Sequence, residues 1–121
     1  KDVNMSVTVS YYTIIGYDLT GYITEKFKDW KWNDEGEKYT SYQRKGEIQL
    51  FDDPMNGLHL YFGYILGCGD PYEMDTVKVN LEDIENKIGL VSDELVKLQD
   101  LGVIKKDLSE KCQLIMFEEC Y

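Results

Sequence analysis

Alanine is absent from this sequence, arginine and histidine occur once each (Arg44 and His59), and there are only two prolines and three cysteines. Each scarcity excludes something. Two prolines in 121 residues rule out a collagen-like or proline-rich low-complexity chain. Cys68, Cys112 and Cys120 are an odd, scattered set. They supply neither a closed disulfide framework nor the close pairs of a structural zinc site. If Cys112 to Cys120 is one strand, its ends stand about 26 Å apart, far beyond the ~7 Å that a disulfide spans. Reduced thiols and a cytoplasmic location are expected, with no metal and no cofactor. The single histidine leaves only a His59–Cys68 pair for nucleophilic chemistry. Nine positions of strand put these two on opposite faces unless a bulge intervenes, so His59 is expected to be a hydrogen-bonded strand histidine. No run is long and apolar enough to span a bilayer as a helix. Residues 1–4 are polar and read as a cloning remnant rather than a signal peptide.

Basic residues are also scarce: 13 against 23 acids, a net charge of −10. That excludes direct grip on a nucleic-acid backbone, which needs cationic contacts, and disfavours an anionic membrane surface. It suits a protein partner with a basic surface. The acidity is uneven, with 10 acids and 7 bases in residues 1–60 but 13 and 6 in residues 61–121. Glu82, Glu85, Asp93 and Glu94 are the candidate contacts of that acidic half. Lysine outnumbers arginine twelve to one. With no alanine, this is the bias of AT-rich coding sequence, as in a low-GC bacterium or its phages.

What the chain has in quantity is aromatic and β-branched residues. The organising stretch is Glu47 to Gly67. Ile48 and Leu50, then Leu58, Leu60, Phe62, Tyr64 and Leu66, keep one parity along two runs, the period of a strand with one face on a core. Asp53-Pro54-Met55-Asn56-Gly57 between them has turn chemistry, so the stretch reads as a β-hairpin. Tyr61 and Ile65 make the second strand apolar on both faces, which marks a central strand. Gly63 signals a bulge or a close backbone approach. Val7 to Tyr17 reads as a first strand and Asp18 to Trp32 as a helix opened by Thr20. Asn33 to Gly46 reads as a loop, and Thr76 to Val79 as a short edge strand. Two helices are expected around Leu81–Gly89 and Ser92–Leu101, the second closed by Gly102. Gln113 to Cys120 reads as a final strand. The fold class is α+β: one domain, an antiparallel sheet of about four strands, helices packed mainly on one face.

No catalytic motif emerges. Gly63, Gly67 and Gly69 are not followed by Lys-Ser/Thr, so there is no phosphate loop. The turn at Asp52–Gly57 fails the calcium-loop pattern, with Gly63 where the closing Glu belongs. Trp30, Trp32, Tyr39 and Tyr42 form the aromatic candidate set. Two tryptophans two positions apart cannot share a helical face, so one belongs to the core and the other to the surface. Trp32, Tyr39 and Tyr42 are the expected partner contacts. The expected function is that of a small acidic cytosolic inhibitor that binds a protein, either phage-encoded against a bacterial defence enzyme or an immunity protein for a toxin. Homo-oligomerisation is left open. The alternative is a small-molecule-binding or hydrolytic domain using a pocket between sheet and helices.

Overall fold

The computed structural model describes residues 9–40, 44–52, 59–70, 72–73 and 76–120. Four strands, β1 (Val9–Asp18), β2 (Ile48–Asp52), β3 (Leu60–Gly69) and β4 (Gln113–Cys120), form one sheet in the order β2-β3-β1-β4. Every neighbouring pair is antiparallel. The helices are α1 (Phe27–Lys31), α2 (Asp34–Glu37) and the 20-residue α3 (Leu81–Asp100).

The expected hairpin is β2 and β3, joined in register from Ile48↔Tyr64 to Asp52↔Leu60; its turn, with Leu58, lies outside the described residues. β3 is central, flanked by β2 and β1. On one face, Leu50, Leu60, Phe62 and Tyr17 meet Val91, Leu95 and Leu98 of α3 and Phe27 and Trp30 of α1. On the other, Tyr12, Ile14, Phe51 and Ile65 form a second buried cluster with Tyr61, Ile115 and Phe117 packed against it. The described helices thus share one face.

Gly63 marks a close backbone approach. It pairs with Gly16, and a Cβ built on Gly16 falls 2.0 Å from the Phe62 carbonyl oxygen, one on Gly63 2.4 Å from that of Ile15. Only glycine fits at either position. The bulge lies further on: Thr13 pairs with Gly67 but Ile14 with Ile65, leaving Leu66 without a partner on β1. The extra residue inverts parity, so Cys68 joins Tyr61 and Ile65 on the second face.

Four expectations are corrected. The helix over 18–32 shrinks to α1, because the chain turns at Leu19–Tyr22 and Ile23 bridges to Ile104. Thr20 caps no helix; its Oγ1 accepts the Leu60 backbone N–H at 3.0 Å. The loop over 33–46 contains α2, whose first turn is closed by the Asn33 side chain accepting from Gly36 N–H at 3.0 Å. No strand forms over Thr76–Val79 among the described residues; Asn80 caps α3 instead, its Oδ1 accepting from Glu82 N–H at 2.9 Å. Most consequentially, the two expected helices are one. Ile84, Ile88, Val91, Leu95 and Leu98 keep a single stripe across Gly89, and that continuity outweighs the ~1 kcal/mol a mid-helix glycine costs. Gly102 does end the helix. Its φ is 79°, and N–H groups of Gly102 and Val103 close back on the Gln99 and Leu98 carbonyls.

Phe62 is fully buried at the centre of the larger cluster. Phe62→Ala should cost about 3–5 kcal/mol by lost burial and cavity formation. Leu81→Ala, on an exposed side chain, should stay within about 0.5 kcal/mol. Urea denaturation of the two variants checks both.

Candidate functional site

The structure separates the aromatic set. Trp30 is only 6% exposed, packed between the tilted rings of Phe27 and Tyr39 at centroid distances of 5.8 and 5.9 Å. Trp32, just past the end of α1, is 75% exposed. Tyr39 is not a surface anchor: at 5% exposure it belongs to the larger core cluster, with its ring against Phe62. Tyr42 lies outside the described residues.

Trp32 stands at the rim of a cleft of about 340 Å³. Ile23, Phe27 and Leu60 line it with apolar surface, and Lys28, Lys31, Asp52 and His59 edge it. Three separate stretches meet there: the turn after β1, helix α1, and the facing ends of β2 and β3. Lys31 is held between two of them. Its Nζ donates to Asp52 Oδ2 at 2.5 Å and sits 5.4 Å from the Trp32 ring centroid, which fixes the indole's surroundings. The cleft can therefore take an apolar or aromatic side chain, with the indole as one wall.

His59 at the edge of the cleft is a hydrogen-bonded histidine, as its place next to β3 predicts. It stacks on Tyr61 at 4.5 Å, with Nε2 3.3 Å from Oε1 of the buried Glu119. The bulge brings Cys68 to the same face, but nine residues of strand, about 30 Å, separate it from His59. The pair cannot act as nucleophile and base. Burial pushes the Cys112 thiol above its ordinary value, which leaves little reactive thiolate. Among the described residues no group of three or more His, Cys, Asp or Glu is placed to hold a metal ion, and no helix is long and apolar enough to cross a membrane.

The acidic candidates divide as well. Because α3 is continuous, Glu82, Glu85 and Asp93 come onto one outward face with Asp100, within about 80° around the axis and about 27 Å along it. Of the two lysines of α3, Lys87 lies away from the stripe and Lys97 borders it, one turn on from Asp93, whose charge acts on it. Lys87 sits 4.7 Å over the Tyr64 ring, and Lys97 pairs with Glu94 at 2.6 Å. The outward stripe has no ion pair among the described residues. Glu94 is not part of it. Glu94 accepts from Tyr39 Oη at 3.0 Å and ties α3 to the segment after α2.

That tie has a pH signature. Burial works against the Glu94 carboxylate, but hydrogen bonds from Lys97 and Tyr39 prevail and hold its pKa below the ordinary value. Burial, with Glu94 as acceptor, raises the Tyr39 hydroxyl in turn. A depressed carboxylate pKa adds stability that is complete above the unfolded value and is lost as pH falls through the folded one. Glu94→Gln should thus be less stable than the wild type at about pH 6, and the gap should narrow towards about pH 3. Urea midpoints across that range check it.

No family model, no curated protein and no solved structure matches the chain significantly, so the functional reading rests on the cleft, the exposed indole and the acidic stripe.

Proposed function

We propose that this protein is a non-enzymatic inhibitor that works by binding another protein, with Trp32 as the anchor and the acidic face of α3 as the steering surface. The observation that carries this reading is the 75% exposure of Trp32 at the rim of an apolar-walled cleft. A tryptophan buries about 150–250 Å² in an interface. At about 25 cal/mol per Å² that is roughly 4–6 kcal/mol before ordering costs, the scale of a binding hot spot.

The stripe has a different task. Four acids over about 27 Å are far sparser than the phosphates of a duplex, which carries a charge every ~1.7 Å. The helix is no replica of a nucleic acid. Its field, added to a net charge of −10, raises the encounter rate with a basic surface, and steering acts without the acids lying inside the footprint. The target that fits is an enzyme whose own substrate is polyanionic. The lysine-rich, alanine-free composition favours a phage-encoded inhibitor of such an enzyme in a low-GC host, or an immunity protein. A second reading, a small-ligand domain, is favoured by the cleft volume of about 340 Å³, at the lower end of the ~300–1,000 Å³ usual for ligand sites.

The test is affinity capture from a low-GC bacterial lysate, then binding kinetics on the stoichiometric partner. Trp32→Ala should raise the off-rate about 30-fold, equivalent to about 2 kcal/mol, with little change in on-rate. Glu82→Gln/Glu85→Gln should lower the on-rate several-fold at low salt and hardly at all at about 0.5 M. Wild-type kinetics in both variants would sink the proposal. Ligand-dependent melting with no protein partner would favour the second reading.

A further inference from the structure

The two edges of the sheet are treated differently. The outer edge of β2 is covered: Leu50 N–H donates to the Tyr39 carbonyl at 2.7 Å, and Gln49 Nε2 donates to the Lys38 carbonyl at 3.0 Å. β4 has β1 as its one strand partner among the described residues, and its far side ends the sheet. Of the usual devices that blunt an edge, it carries charge only near its C-terminal end, at Glu118 and the buried Glu119. Gln113–Cys120 has no proline and no lysine, and its register with β1 runs unbroken from Val9↔Cys120 to Gly16↔Gln113. Leu114 and Met116 are 56% and 73% exposed. They pair with Ile15 and Thr13, which puts them on the face that carries α3, beyond the helix's reach over β1 and β3.

We infer that β4 is the dimerisation edge of this protein and that its occupant is β4 of a second copy, paired antiparallel about a two-fold axis at Ile115. The register is self-complementary. Opposite residues in an antiparallel pair share a face. With Ile115 on the axis, each Leu114 meets the other copy's Met116, so the two exposed apolar side chains on one face cover each other twice. The two Ile115 side chains meet on the other face. The two Glu118 residues fall at opposite ends, six residues or about 20 Å apart, well beyond the ~8 Å screening length at physiological salt. The result is an eight-stranded continuous sheet whose two ends are the covered β2 edges. This inference is independent of the proposed inhibitor function, because purified protein alone is enough to test it.

The test is sedimentation equilibrium of the full chain over a concentration series, with hydrogen exchange on the same samples. The wild type should be a dimer that tightens as salt rises from about 0.05 to about 0.5 M, since each copy carries −10 and salt screens the repulsion. Leu114→Lys and Met116→Lys, both at exposed positions, should each raise the dissociation constant at least about tenfold, while Trp32→Ala leaves it unchanged. Amides of residues 113–117 that face away from β1 should gain protection with concentration. A monomer at every concentration and salt overturns the inference. So does a dimer indifferent to both lysine variants, or one lost in Trp32→Ala.

Discussion

The fold depends on the contact between two bare backbones at the middle of the sheet. β1 and β3 are its central strands, and Gly16 faces Gly63 where they lie closest. A side chain on either glycine would enter the opposing main chain. A slip of one residue would bring Ile15 or Tyr17 against Gly63. It would also turn Phe62 and Leu60 away from α3, because strand side chains alternate faces. Steric exclusion at one pair and burial along the whole strand therefore select the same register. β2 and β4 then attach to a pair whose faces are already assigned.

Much of this was legible in the residues. Period-two patterning marks β2 and β3, Tyr61 and Ile65 on the other parity mark β3 as central, and Gly102 marks the end of α3 because positive φ is cheap only without a Cβ. The division of Trp30 from Trp32 followed from helical geometry alone. The failures have a common cause. Gly89 and Ser92 carry strong local signals for a helix boundary, yet the tertiary stripe from Ile84 to Leu98 overrides them, and Ser92 Oγ lies 2.8 Å from Tyr17 Oη in mid-helix. Tyr39 looked like a loop aromatic because nothing local reveals that Glu94, 55 residues away, accepts its hydroxyl. The cleft beside Trp32 joins residues 20–32 to Asp52, His59 and Leu60 of the hairpin, so its lining could not be read from either part alone. The acidic positions were visible, but their alignment on one face required knowing that α3 is unbroken.

The charges are sorted by direction. Several cations engage partners within the chain: Lys31 with Asp52, Lys97 with Glu94, Arg44 with Glu47, Lys87 over Tyr64, Lys38 over Tyr39. The acids of the α3 stripe face solvent instead. A net charge read from composition thus understates how negative the outer helix surface is. Exposed pairs of this kind add little stability individually, which is consistent with a fold held by its two apolar clusters and with acidity free to serve encounter.

The short segment after α2 also limits how far the sheet can grow. A sheet with two open edges is a head-to-tail monomer from which fibres are made. Here the Tyr39 carbonyl accepts the Leu50 N–H and the Lys38 carbonyl accepts the Gln49 side-chain amide, so turn backbone lies against that flank. In a chain rich in β-branched and aromatic residues, which court aggregation at an open strand, turn backbone laid against one flank hinders the addition of a further strand there.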